Sequence, residues 1–363
     1  MTDALLAATF PVFKIEGSVV GGLARDVVRL EVEEGTDGLR TLTATFQAVG
    51  LSGSGDVEPL LHLDGSDLDF GKKVEVSIGA PGDERAIFSG LISGIELEHT
   101  EGDMPVVTAF AEDALMKLRM TRRLKTYEQM SDADIAQEIA DQHGLGADAD
   151  ADGPTYDVVQ QWNQSDLAFL RDRAALIQAE VFVEDDTLKF KSRPGRSGTR
   201  ITLVQGGDLI SVRARADLAH QRTKVKVSGY DASARDKIEE EAAGDAIQSE
   251  TSGGGRTGPD VLQQALGERV SHRVREVPLV SGEATAYARA EMLRRARSFV
   301  SLAGVTSGSP DMVVGSKVEL QRVGGPFEGG DYYVTRLLHT FDLRDGFRTH
   351  FHAERSTING AGQ

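Results

Sequence analysis

The stretch most like a metal site is D-A-D-A-D-G, residues 148–153. Asp148, Asp150, Asp152 and Gly153 fill positions 1, 3, 5 and 6 of a helix-loop-helix calcium loop, where oxygens hold the ion and glycine makes the sharp turn. Position 12 calls for a bidentate Glu and holds Val159; position 7 is Pro154, and the residues after it read as a strand rather than a second helix. The pattern predicts an acidic exposed loop with no metal.

A second cluster is His339, His350 and His352. His350 and His352 alternate about Phe351, which puts both on one face of a strand, with His339 on its neighbour. Three histidines on adjacent strands are a conceivable metal set. No carboxylate stands at comparable spacing, so the expectation is no metal. There is no G-x-S-x-G, H-E-x-x-H or P-loop. Glu112-Asp113 lie where a strand yields to a helix, a common place for capping carboxylates. A glycosidase-like carboxylate pair is defined by separation in space, which the sequence does not display. With no recognisable nucleophile–base pair, the expectation is no enzyme, no catalytic residue and no cofactor. The rival reading is a soluble metal-binding or hydrolytic β protein.

The 363 residues exceed the ~250–300 at which one core usually splits, so two or more domains are expected. No apolar run approaches the ~20 residues of a membrane span. MTDALLAATFPVF lacks the basic start of a signal peptide. The absence of cysteine excludes disulfides, zinc–thiolate sites and thiol catalysis, and fits cytoplasmic assembly. A net charge of −17 argues against nucleic-acid binding. Between Lys125 and Arg171 there is no Lys or Arg but there are ten acidic residues, which predicts a strongly negative side.

The elements that would position these groups begin as β. VEVSIG (74–79) alternates; AIFSGLISGIELEH (86–99) and MPVVTAFAED (104–113) flank a TEGD turn and form a hairpin, with Gly90 and Gly94 marking bends or bulges. Ser131 with Asp134 reads as a capping box for a helix that His143-Gly144 ends. A second helix starts at Ser165, and EVFVEDDTLKF (180–190) is a hairpin. Residues 231–260, rich in acids and glycine, read as a mobile linker. A long helix follows at 283–300, with Ala284, Tyr287, Ala288, Met292, Ala296 and Phe299 as its apolar stripe; Arg289, Arg294, Arg295 and Arg297 lie mostly off it, as a solvated basic face.

Two stretches echo each other. GKKVEV (71–76) is followed by a turn, IFSGLISGIELEH, a second turn and VVTAFAED. GSKVEL (315–320) is followed by a Gly-rich turn, YYVTRLLHTFDL, RDG and FRTHFHAER. Lys73 precedes Ala111 by 38 residues and Lys317 precedes Ala353 by 36, so order and spacing both suggest a duplicated β module.

These stretches, with KTYEQMSDADIAQEIADQHGL and QWNQSDLAFLRDRAALIQAEVFVEDDTLKF, resemble the baseplate hub or late control protein D family of contractile tails, and the head portion of VgrG proteins. The resemblance runs from about residue 70 to 355. It implies an α+β, mainly β fold: two β-barrel-like domains with intervening α/β segments, in a trimeric ring. The domains would be 1–125, a first barrel; 126–200, a helix-rich insert; 201–230 and 261–363, a second barrel carrying the long helix; and 231–260, a flexible insertion. The implied function is a hub joining a hexameric inner tube to a spike. VgrG proteins continue into an OB-fold and needle, whereas this sequence stops just after the second module, so a separate spike protein is expected. Implied partners are two further copies, the inner tube protein, the spike and other baseplate proteins, with no nucleic acid bound and no membrane insertion. The implied setting is a phage tail virion or contractile injection particle assembled in the cytoplasm. Lys73, Glu75, Phe88, Lys317, Glu319, Tyr333 and Arg336 are the candidate contact residues.

Overall fold

The computed structural model describes residues 10–51, 57–58, 60–80, 82–251 and 254–360. Most of the stretch weighed above as a signal peptide, residues 1–9, lies outside them, as do residues 252–253 of the expected linker. No described helix is long and apolar enough to cross a membrane.

Strands dominate. The first module comprises β1 (Val12–Ile15), β2 (Val27–Gly35), β3 (Thr41–Gln47), β4 (Lys73–Ile78), β5 (Arg85–Glu98) and β6 (Val106–Glu112). An insert follows: β7 (Arg122–Ser131), α1 (Asp132–Gln142), β8 (Gly146–Ala149), β9 (Thr155–Ser165), α2 (Asp166–Ile177), β10 (Ala179–Glu184) and β11 (Thr187–Ser192). The second module opens with β12 (Arg200–Val204) and β13 (Leu209–Ala216). It then makes an excursion through β14 (Lys224–Asp231), β15 (Asp236–Ala243), α3 (Gly258–Leu266), β16 (Val270–Arg273) and α4 (Ser281–Arg297). It ends with β17 (Val300–Thr306), β18 (Lys317–Gln321), β19 (Gly329–Asp342) and β20 (Gly346–Arg355).

The duplication is visible in the pairing. The first module runs β1-β4-β5-β6-β3-β2 in space, and the second runs β12-β18-β19-β20-β17-β13. Numbered by chain order within each module, both read first, fourth, fifth, sixth, third, second. Registers agree over most of each ladder, with the β4–β5 and β18–β19 pairs diverging at their outer ends: Lys73 faces Leu91 as Lys317 faces Tyr333, and Ile92 faces Ala111 as Val334 faces Ala353. The bulges agree too. Ser93 is the extra residue in β5 where Thr335 is in β19, and Val28 in β2 where Ile210 is in β13. An extra residue bends a strand and raises its twist, so paired bulges give paired curvature. One difference stands out: β1 is antiparallel to β4, but β12 is parallel to β18, because the chain enters the second module from the opposite end.

Each module wraps its own core, which makes it barrel-like. All six strands of the first contribute buried apolar side chains, among them Phe13, Val32, Phe46, Val76, Phe88 and Val107. The second is centred on Leu209, Leu302, Met312, Leu320, Tyr332 and Phe351. A third core joins α1, α2 and the insert hairpin to α4 through Ile135, Leu170, Phe190 and Tyr287. Ser131 and Asp134 form the capping box of α1, Gly144 turns with φ +67° just beyond it, and Ser165 caps α2.

The acidic 231–260 stretch is not a plain linker. Asp236–Ala243 forms β15 and pairs with β14, and Gly258 begins α3. Its two isoleucines, Ile238 and Ile247, are buried, and Lys224 and Lys226 neutralise Glu239 and Glu241. Those two anchors and the facing lysines supply what the composition of the stretch itself lacks.

Candidate assembly interface

The groups that could have held a metal are paired with other side chains or set apart from one another. Only part of D-A-D-A-D-G is a loop. Its first two residues end β8, which pairs in parallel with β11 and so faces Lys189 and Lys191. Asp148 lies 2.8 Å from the Lys189 amine and 2.7 Å from that of Lys191, and Asp150 is 3.2 Å from Lys191. Hydrogen bonds from the two amines pull the Asp148 carboxyl below its ordinary range. The three histidines diverge. His339 points into the core, bonds Thr349 at 3.0 Å and stacks on Phe347, while His350 and His352 lie on the outer face of β20. Burial, reinforced by the Arg40 charge, pulls the His339 imidazole down to about 3. Among the described residues, no group of His, Asp and Glu is placed to hold a metal.

Five of the ten acidic residues in the stretch without Lys or Arg pair with a cation from outside it, Asp148 and Asp150 among them. Arg123 and His143 reach the fully buried Asp166 at 2.9 and 2.8 Å, Arg173 reaches Asp132 at 2.5 Å, and Lys125 pairs with Glu138. Of the four arginines expected to form a basic face on α4, Arg289 is exposed and the other three pair with carboxylates. Arg294 and Arg295 pair with Glu291, and Arg297 is buried against Glu250 at 2.6 Å.

A polar cleft of about 620 Å³ lies where the first module, the insert hairpin and the second module meet. Its floor is a buried ion network. Arg196 reaches Glu34 of β2 at 2.5 Å and Glu180 of β10 at 3.0 Å. Arg40 holds the other oxygen of Glu34 at 2.7 Å, and the Tyr333 hydroxyl donates to Glu180 at 2.8 Å. Asp113 accepts from the backbone N–H groups of Arg40 and Leu115, yet burial pushes its carboxyl up to about 6. Every buried carboxylate here already has a donor, so the network ties three units together rather than waiting for a ligand.

The modules are joined by a strand pair. The outer half of β19 runs past β18 and pairs antiparallel with β2, from Arg336 opposite Gly35 to Asp342 opposite Arg29. This continues both modules, together with the short strand Ser18–Val19 beside β1, into one 13-stranded sheet. Phe341 and Phe347 of the second module enter the first module's core. The bulged Thr335 carbonyl accepts from Thr36 N–H at 3.1 Å, and Arg336 pairs with Glu33 across the seam.

The candidate contact residues divide. Arg336 lies on this seam, exposed on its outer face. Lys73 and Glu75 pair with each other at 3.0 Å on the surface of β4, and Glu319 accepts from Gln321. Phe88 and Tyr333 are 2% exposed and present no outer surface: Phe88 faces the first core, whereas Tyr333, on the face of β19 opposite Tyr332 and Val334, is covered by Glu180 and Arg193. Lys317 is half-buried, over the Tyr333 ring. The sequence reading missed the free strand edges themselves: β5 beyond Ile92 and β13, the counterparts of the joined β19 and β2, have no ladder on one side among the described residues. Glu96-Leu97-Glu98 and Arg213-Ala214-Arg215 were the signal, legible once the echo is extended into a register.

The fold is shared with solved tail proteins. The 43 kDa tail protein of prophage MuSo2 from Shewanella oneidensis matches with a TM-score of 0.68 at 12% identity, covering 97% of this chain and 100% of that one. The tail protein from Neisseria meningitidis MC58 matches at 0.64 and 11% identity, covering 96% of each. An Escherichia coli protein described as a component of the type VI secretion system, with structural similarity to T4 tail proteins gp27 and gp5, matches at 0.59 and 12% identity, covering 96% of this chain and 79% of that one. No curated protein matches by sequence. The sequence pattern of the Alg8 N-terminal domain matches residues 53–342, which hold β4 to β6 of the first module, the whole insert and the second module through β19. The chain therefore belongs to the Alg8 N-terminal domain family.

Proposed function

We propose that the chain is a structural hub subunit of a contractile tail or injection apparatus, with three copies closing a ring between a hexameric inner tube and a separate spike protein. The observation that carries this reading is the repeated six-strand order, with matching bulges and one seam between the repeats. Three copies with two equivalent modules each present six similar faces, so a threefold ring can meet a sixfold tube without a symmetry clash at every contact. The shared tail-protein fold supports the reading. The role is one of burial and positioning, not bond-making. Three copies would carry −51, three times −17, which belongs on the outer wall or the lumen; an acidic lumen lets acidic cargo pass without sticking.

Light scattering on the purified chain tests this. A ring of three has a mass near 117 kDa, three times 39.0 kDa. A mass of 39.0 kDa at every concentration, with tube and spike proteins present as well as absent, overturns it.

A further inference from the structure

The seam inside the chain is a template for one between chains. β19 and β5 are both the fifth strand of their modules, and β2 and β13 are both the second. In the seam, Leu337 faces Glu34, Leu338 faces Glu33, His339 faces Val32 and Thr340 faces Glu31. The hairpin registers convert these positions one for one. Leu337, Leu338, His339 and Thr340 correspond to Ile95, Glu96, Leu97 and Glu98. Glu34, Glu33, Val32 and Glu31 correspond to Ala216, Arg215, Ala214 and Arg213.

We propose that, in the ring inferred above, the outer half of β5 adds antiparallel to the free edge of β13 in a second copy, with Ile95 opposite Ala216, Glu96 opposite Arg215, Leu97 opposite Ala214 and Glu98 opposite Arg213. Transferring the register brings two acidic residues directly opposite two basic ones, all four exposed on the single chain. The inward face fits as well. Leu97 is 44% exposed, whereas His339 at the same place in the closed seam is 3% exposed. A neighbouring β13 covers Leu97 as β2 covers His339, and β5 covers the half-buried Val212, Ala214 and Ala216 in return.

The charges also choose the partner. Against the first module's own second strand, β2, the same register would put Glu96 opposite Glu33 and Glu98 opposite Glu31, a like-charge pairing that is disfavoured. β2 is in any case already filled by β19. First and second modules therefore alternate head to tail around the ring, and no edge of this kind is left free to template aggregation.

The chain has no cysteine, so introduced thiols report cleanly. Directly opposite residues in an antiparallel pair have Cα atoms about 4.5–5.5 Å apart, within disulfide reach, and diagonal ones do not. The variant Glu98→Cys/Arg213→Cys should give covalent multimers on mild oxidation, about tenfold more than the shifted Glu98→Cys/Arg215→Cys. The charge reversal Glu96→Arg/Glu98→Arg should weaken self-association about tenfold or more, and adding Arg213→Glu/Arg215→Glu should restore it. Equal cross-linking by both cysteine pairs, or no rescue by the fourfold swap, overturns the register. If the wild-type mass is still that of a trimer, the ring reading survives that result. A monomer mass throughout with no in-register cross-link removes both.

Discussion

The β19–β2 seam and the free edges of β5 and β13 are the same structural joint, once filled and once empty. Both fifth strands overrun the fourth by about half their length, and both carry one extra residue just before the overrun. What differs is the side chains along the edge. The filled seam is fixed by core: Phe341 and Phe347 cross into the first module, His339 is sealed in as a neutral imidazole, and Arg196 clamps Glu34 from behind. The empty edges show exposed Glu96 and Glu98 on one strand and Arg213 and Arg215 on the other. The backbone geometry of pairing is common to both modules, and the edge residues would separate the permanent joint from the reversible one proposed between copies. Apolar burial suits the first, because the two modules are never apart; charge suits the second, because it steers encounter and rejects the wrong edge.

Breaking the filled seam should cost most. Arg196→Ala removes the guanidinium shared by the buried Glu34 and Glu180, leaving Arg40 to the first and the Tyr333 hydroxyl and Arg193 to the second, and is expected to destabilise the chain by about 3 kcal/mol in urea or thermal unfolding. Phe341→Ala opens a cavity where the modules meet and should cost about 3–4 kcal/mol. A loss under ~1 kcal/mol in either would mean that the seam is not a folding unit with the cores.

Acidity acts on the cleft behind the seam. The Asp113 carboxyl is raised from 3.8 to about 6 in the folded chain, so the folded state holds this proton more tightly than the unfolded one. Its contribution to stability is therefore full below about pH 4 and is lost as pH rises through 6, by about 2–3 kcal/mol. Asp113→Asn should flatten the wild-type minus variant stability difference above pH 6 and show its change between pH 4 and 6 in denaturant titrations. The smallest effect sharpens the contrast. Leu97→Ala, on the empty edge, should change the stability of the isolated chain by no more than about 0.5 kcal/mol while measurably weakening its self-association.

Much of this was legible in the chain. The hairpins at 86–113 and 329–355, both capped helices and the apolar stripe of α4 follow from local patterns: period-two alternation, Ser131 with Asp134, and buried residues three and four apart. The echo between Lys73 and Lys317 named the right strands. Pairing between distant charges was not legible. Asp148 read as a free carboxylate because Lys189 and Lys191 are some forty residues on, and Arg297 read as solvated because Glu250 arrives from the excursion. The acidic 236–243 strand was hidden for the same reason, since its stability comes from the β14 partner and two buried isoleucines.

The sequence by itself determined the repeated module, the helical insert and the lack of any familiar catalytic pattern, because these depend on short-range periodicity and residue type. Only the tertiary structure decided which edge meets which. Register links residues hundreds of positions apart, and a shift of one residue would turn Phe341 and His339 from the core to the solvent. That choice is set by the fit of two folded sheets, which no local stretch of chain encodes.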